Sequence, residues 1–307
     1  MKKILVIGAS GLIGSRFVEL ARDKFEIIAV DEKTLDITNK NEVDRYFNNN
    51  LFDVVLNFAA VTNVDGAEKE KGDEAGITWR LNTLGPKYLS EACKLSNKQS
   101  LASQGSGKFF VQISTDFAFN GTNENPGPYD EDARIAESID GVGWYGWSKN
   151  RAEKLISESG CRYAIVRIAY PFSSAKYDLK LDFAKNYLKV FDEGKLFPIF
   201  TDQTFTPLYL EDMINPLSKI LEEELEGVFH IVSSDVATPF DFVEYLLKKA
   251  RNVERAVQKG SMEEFLRAEG RTPRPRLGGL KTEKTQSKLG MKFRTWKEMI
   301  DDFADNL

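Results

Sequence analysis

The chain has 307 residues, 42% of them hydrophobic and 11% aromatic, enough to bury a sizeable core in one large domain or two modest ones. Its 42 basic and 47 acidic residues leave a formal charge of -5, which offers polyphosphate no general attraction and argues against nucleic acid as a partner. Cys93 and Cys161 stand far apart without metal-ligand spacing, so no disulfide framework and no metal site is expected, and both read as small buried hydrophobes.

The start, Met1-Lys2-Lys3 and then Ile4-Leu5-Val6-Ile7, has the charge of a secretion signal, but Gly8 ends the apolar run too early. No later window approaches the ~20 apolar residues that span a bilayer, so a cytoplasmic protein without membrane contact is expected. Through the first half, β-branched runs at 3–7, 25–30, 53–57, 109–113 and 163–167 alternate with amphipathic stretches such as 12–21 and 81–95. That alternation predicts βαβ units, and the runs are mostly apolar on both faces, as in strands covered by helices above and below. The expected fold is α/β, a doubly wound parallel sheet of the Rossmann kind. The polar, glycine-bearing segment 97–108 reads as a surface loop and as the leading site for local disorder. After Tyr170 the alternation loosens, and Pro171, Pro198, Pro207, Pro216, Pro239, Pro273 and Pro275 punctuate shorter elements. Residues 1–170 are therefore expected to form a dinucleotide-binding domain and 171–307 a smaller, mainly substrate-binding region, with the apolar run 227–233 rejoining the large sheet.

Gly8-Ala9-Ser10-Gly11-Leu12-Ile13-Gly14 follows a strand and opens a helix, the context in which such a turn has a mechanism. Gly8 permits the turn, Gly11 lets backbone approach a pyrophosphate, Gly14 lets helix and strand pack, and the amides around Ser10, Leu12 and Ile13 attract the negative charge. Asp31 stands at the end of the second strand, where a carboxylate accepts a ribose hydroxyl and repels a 2′-phosphate. NAD is thereby favoured over NADP, by a modest margin because Lys33 is close by. Asp36 and Ile37 could close over the adenine, one at its amino group and the other at its face.

Reduction of a ketone needs a proton donor at the carbonyl oxygen. Tyr145-Gly146-Trp147-Ser148-Lys149 sets a lysine four residues after a tyrosine, on one helical face. An ammonium ~4 Å from the phenol, at an effective dielectric near 20, favours the phenolate by up to ~4 kcal/mol. The pair begins the helix before the fifth strand, in a chain that already carries the coenzyme turn. A third group, a hydroxyl at the end of the fourth strand, is either Ser114 or Thr115; spacing does not choose between them.

These motifs resemble the dTDP-4-dehydrorhamnose reductase family of the extended short-chain dehydrogenase/reductase superfamily. The resemblance takes in the glycine turn, residues 35–39, the stretch 53–60 with Thr62, Val64 and Asp65, Asn82 with Leu84 to Pro86, and Ser114-Thr115-Asp116 with Phe119 and Gly121. It continues through Tyr145 to Lys149, Asp202-Gln203 with Pro207, and Arg274-Pro275 with Leu280, Thr282 and Lys284. It implies Thr115, Tyr145 and Lys149 as the catalytic trio, Ala59, Ala60, Thr62 and Asn82 along the coenzyme, with Asn82 also bracing the active-site backbone, and Lys149 on the nicotinamide ribose. The implied reaction is NADPH- or NADH-dependent reduction of the C4 ketone of a nucleotide-linked 6-deoxyhexulose, so a nucleotide-sugar is the expected partner; a homodimer is compatible with the sequence.

Departures concentrate at the substrate end. Val61 and Phe117 replace two family tyrosines, Tyr170 replaces a tryptophan, and Gly279-Leu280-Lys281 replaces an Arg-Leu-Asp. Phe117 and Tyr170 are nonetheless read as substrate contacts, and the basic run Arg267, Arg271, Arg274 and Arg276 is either a solvated face or a diphosphate clamp, with Arg271 and Arg274 as the candidate contacts. Two other readings share the fold: an epimerase or dehydratase that retains its NAD, and a non-catalytic subunit resembling the regulatory beta subunit of methionine adenosyltransferase. His230, in an apolar strand, reads as a core histidine. Trp144 and Trp147 either wall the sugar pocket or pack the helix start.

Overall fold

A computed structural model describes residues 1–101 and 108–307. Six parallel strands form the central sheet in the order β2-β1-β3-β4-β5-β9. They are β1 (Lys3–Ile7), β2 (Glu26–Val30), β3 (Val54–Asn57), β4 (Phe109–Thr115), β5 (Arg162–Ile168) and β9 (Gly227–His230). Period-two alternation divides β1 between the two faces: Ile4 and Val6 enter one core, Leu5 and Ile7 the other. Helices α1 (Leu12–Ala21) and α8 (Leu210–Glu223) cover the first face; α2 (Lys40–Asn49), α5 (Gly85–Leu101) and α6 (Gly143–Ser159) cover the second. β2 departs from the two-faced apolar pattern, because as an edge strand it leaves Glu26 and Ala29 exposed.

The strand at 227–230 lies parallel to β5, with Ala164 opposite Gly227 and Arg167 opposite His230. The other strands are two-residue pairs beyond the ends of the large sheet. They are β6 (Pro171–Phe172) with β8 (Leu208–Tyr209), and β7 (Ile199–Phe200) with β10 (Lys259–Gly260). Beside them an aromatic-rich core of Phe172, Phe205, Tyr209, Phe242, Trp296 and Phe303 joins α7 (Phe183–Asp192), α9 (Pro239–Arg251) and α12 (Trp296–Asp305). Capping sets their starts: Asp182 accepts from Lys185 N, Thr238 from Asp241 N, and Thr295 with Glu298 forms a capping box. Shorter helices α3 (Val64–Glu68), α4 (Ile77–Trp79), α10 (Met262–Arg267) and α11 (Glu283–Leu289) fill the connections.

Two expectations are corrected. The helix read at 81–95 runs over Gly85–Leu101, behind a single widened turn at Arg80–Leu84 that carries Asn82. The segment read as a loop at 97–108 is helical as far as Leu101, a polar composition being compatible with either state; its residues 102–107 lie outside the described residues. Among the described residues no helix is long and apolar enough to cross a membrane.

Candidate active site

Gly8 leaves β1 with a φ of 74°, and a side chain there would strike the backbone of Phe58 and Ala59. A Cβ at Gly14 would strike the Gly8 carbonyl, so glycine alone lets α1 begin against β1. Gly11 is the extended N-cap, with no side chain capping the helix and no acidic residue in its first turn. The amides at Leu12 and Ile13 are left for an external anion, an arrangement that fits a dinucleotide pyrophosphate. Ser10 is exposed on this turn and its carbonyl accepts the Tyr177 hydroxyl at 2.8 Å.

Asp31 follows β2 next to the turn, where Ala9 N donates to Val30 O at 3.2 Å. Its Oδ1 accepts from Thr34 Oγ1 at 3.0 Å and from the Lys33 and Thr34 amides, each at 3.1 Å. These bonds, the Thr34 hydroxyl first, hold the carboxyl below its usual range, and none of them uses Oδ2. Asp36 makes a similar turn, accepting from Thr38 N at 2.9 Å and Thr38 Oγ1 at 2.8 Å. Ile37 corrects the sequence reading: it is 2% exposed, packed in the core against Gly85, and offers no face to an adenine. Ala60 and Thr62 line the cleft, whereas Ala59 abuts Gly8 and donates its amide to Asn57 Oδ1 at 3.0 Å.

Asn82 does not reach the cleft either. Fully buried, it accepts from Val61 N at 2.8 Å and donates to Val61 O at 3.0 Å and Ser148 Oγ at 3.1 Å. It thus ties the segment after β3 to α6, which makes it a brace and removes it from the direct coenzyme contacts.

α6 brings the tyrosine to the end of β4. A Cβ at Gly146 would collide with the Phe117 carbonyl, so the Tyr145-Gly146 pair is what permits the approach. Glu68 anchors the helix start, Oε2 accepting from Trp144 N at 2.7 Å. A cleft of about 430 Å³ runs from the glycine turn past Thr115, Asp116, Tyr145 and Lys149 to Tyr170 and Phe183. A larger hollow of about 550 Å³ between α8 and residues 291–294 includes none of these groups.

The electrostatics differ from the sequence reading. Burial pushes the Tyr145 phenol up to about 12; a hydrogen bond with Thr115 works against this, and Asp116 reinforces it. Lys149 is not among the groups acting on the phenol. Its Nζ donates to Ile113 O at 2.8 Å, and burial pushes it down to about 8 despite Glu153. The lysine is therefore aimed at the strand end, beside the tyrosine and not at its oxygen.

Ser114 is separated from Thr115 by its partner. Its hydroxyl donates to Glu153, which is gripped by Arg167 through Nε at 3.1 Å and Nη2 at 2.7 Å. Arg167 Nη1 lies 3.3 Å from His230 Nε2, and His230 Nδ1 lies 2.8 Å from Lys281 O. An arginine can only donate, so His230 accepts at Nε2 and carries its hydrogen on Nδ1. Burial, then Arg167, pushes this imidazole down to about 3, as befits a core histidine. Thr115 Oγ1 is left at the cleft, accepting from Phe117 N at 3.2 Å and donating to Asp116 Oδ1 at 3.2 Å.

At the far end, Phe117 meets Tyr145 edge to face at 5.7 Å. Tyr170 adopts a φ of 43° and its hydroxyl accepts from Gln203 Nε2 at 3.1 Å. Arg274 is engaged rather than free: Nη2 donates to Asp65 Oδ1 at 2.6 Å, while its Nε is buried without a partner. Arg271 lies over the Phe265 ring at 4.2 Å. Trp144 stacks on Trp79 at 5.1 Å inside the α6 start, and Trp147 faces a separate hollow with Arg134 and Arg151, so neither walls the cleft. Tyr177, Lys180 and Leu181 line the cleft from the segment between β6 and α7, with Lys180 Nζ 3.4 Å from Thr62 Oγ1. Sequence reading missed them, because nothing in an irregular segment's spacing signals which groove it crosses.

Residues 1–307 match the family model described as the RmlD substrate binding domain. The chain is 27% identical over 304 residues to the spore coat polysaccharide biosynthesis protein SpsK of Bacillus subtilis, covering 99% of this chain and 97% of that one. It is 28% identical over 250 residues to dTDP-4-dehydrorhamnose reductase of Aggregatibacter actinomycetemcomitans, covering 79% and 77%. Among solved structures it resembles dTDP-4-dehydrorhamnose reductase from Bacillus anthracis in complex with NADP, with a TM-score of 0.83 at 26% identity, covering 100% of this chain and 99% of that one.

Proposed function

This chain belongs to the RmlD substrate binding domain family, and from that premise we propose that it reduces the C4 ketone of a nucleotide-linked 6-deoxyhexulose. The observation that carries the reading is the convergence, in one cleft, of the uncapped glycine turn with Thr115, Tyr145 and Lys149. A nicotinamide coenzyme bound there supplies hydride to the ketone carbon.

As the carbonyl bond gives its electron pair to oxygen, Tyr145 donates its hydroxyl proton to that oxygen and a secondary alcohol results. A phenol near 12 is a donor that keeps its proton at neutral pH until an alkoxide develops beside it. Thr115 steadies the oxygen with its hydroxyl. Lys149, held by Ile113 O, stands beside the tyrosine where it binds the nicotinamide ribose. Apolar walls at Phe117 and Phe183 exclude water from the reacting groups.

Asp31, its Oδ2 outside the turn bonds, takes the adenosine ribose and favours NADH; Lys33 beside it keeps NADPH usable. Arg274 holds Asp65, on which Arg271 also acts, and is close enough to Tyr170 to act on its phenol; a diphosphate would exchange for the Asp65 carboxylate there.

The test is oxidation of NADH or NADPH by the purified protein with dTDP-4-keto-6-deoxyhexoses. Turnover lost in Tyr145→Phe supports the reading, and silence across the panel sinks it.

A further inference from the structure

Thr115 has one hydroxyl hydrogen and two claimants for it. Oγ1 accepts from Phe117 N at 3.2 Å and spends its hydrogen on Asp116 Oδ1 at 3.2 Å, while the same hydroxyl also acts on the Tyr145 oxygen. A hydrogen given to Asp116 is not available to steady a ketone oxygen. Resting on the reductase reading, we infer that Asp116 is a positioning residue whose neutral carboxyl donates to Thr115 Oγ1 and frees the threonine's own hydrogen for the reacting oxygen.

The surroundings of Asp116 suit a neutral acid. It is 4% exposed, on the short turn Asp116–Ala118 that follows β4, and it lines the cleft. From α6 it faces the Tyr145 phenol, and from the end of β5 the Tyr170 phenol, both uncharged at neutral pH and both raised by the carboxylate's presence. Among the described residues no cation acts on it: Lys149 is committed to Ile113 O and answers to Glu153, and Arg274 is paired with Asp65. Burial accordingly raises the Asp116 carboxyl to about 7, with the Thr115 bond and two backbone amides opposing. The threonine would then lose its hold on the oxygen as pH rises through neutrality.

The substitution Asp116→Asn puts an amide in place of the acid, which keeps an N–H to donate to Thr115 Oγ1 and has nothing to titrate. The experiment compares the pH dependence of kcat/KM for wild type and Asp116→Asn, with Thr115→Val as a second background. Wild type is expected to fall about tenfold per pH unit above neutrality, Asp116→Asn to hold its acid-side rate across that range, and Asp116→Asn to change nothing further in Thr115→Val. An identical alkaline limb in wild type and Asp116→Asn, or an undiminished effect of Asp116→Asn without the Thr115 hydroxyl, overturns the inference while leaving the reductase reading intact. A wild type silent toward every ketosugar overturns the reductase reading and the inference that rests on it. A readout independent of turnover is the infrared spectrum of the free enzyme, wild type minus Asp116→Asn. A neutral-carboxyl band that disappears as pH rises through neutrality supports the inference, and the absence of such a band below neutrality overturns it.

Discussion

The two ends of the cleft are made of different material. The coenzyme end is mostly backbone: the Gly8 turn, the uncapped start of α1 and the segment after β3 held by Asn82. The far end, where we place the sugar, is lined by side chains from stretches far apart in sequence, among them Phe117 after β4, Tyr170 after β5 and Phe183 on α7. Backbone sites need particular glycines at fixed spacing, so they write themselves into a short motif and tolerate little change. Side-chain sites can exchange one aromatic for another without disturbing the backbone, so they leave no comparable motif.

Tyr145→Phe probes the junction of the two ends and should show the largest effect. Loss of the proton donor should lower kcat by on the order of 10²–10⁴, with coenzyme affinity by fluorescence titration unchanged; a loss of affinity of similar size would mean the tyrosine serves binding.

The next effect concerns stability. Burial raises Asp116 from 3.8 to about 7. Between those values the folded protein keeps a proton that the unfolded chain has released, so stability falls as pH rises through that window. Above neutrality Asp116→Asn should therefore be the more stable protein, by at most about 4 kcal/mol, with no such gain below the unfolded carboxyl's own range. Denaturant unfolding at an acid and an alkaline pH checks the sign.

Arg274→Glu tests the sugar end alone. It breaks the Asp65 pair and should raise the ketosugar KM by about 10- to 100-fold, as loss of a charged contact worth about 1.5–3 kcal/mol implies, with kcat and coenzyme KM little changed. An equal rise in the coenzyme KM would merge the two ends. Asp31→Ala should have the smallest effect, raising the NADH KM by roughly 5-fold, as loss of one hydrogen bond implies, and narrowing the preference over NADPH; an unchanged ratio would leave Asp31 with only its turn-making role.

Legibility in the sequence follows the same division. The strand at 3–7, the helix at 12–21 and the glycine turn were readable because period and spacing are local. Ile37 was misjudged because burial under Gly85 depends on a contact 48 positions away by their numbers. The expected lowering of Tyr145 by Lys149 overlooked how deeply both are buried and that Ile113 O claims the ammonium. Ser114, which spacing leaves level with Thr115, gives its hydroxyl to Glu153, a partner 39 positions away that no local pattern encodes.

The central claim is that external coenzyme delivers hydride to a sugar ketone. The most direct measurement supplies coenzyme deuterated at the transferred position of the nicotinamide, with a dTDP-4-keto-6-deoxyhexose, and follows the label. The account predicts one coenzyme oxidised per sugar reduced, with deuterium on C4 of the product. Sugar converted without net coenzyme oxidation, and with C4 unlabelled, would contradict it and point to a retained coenzyme that takes its hydride back.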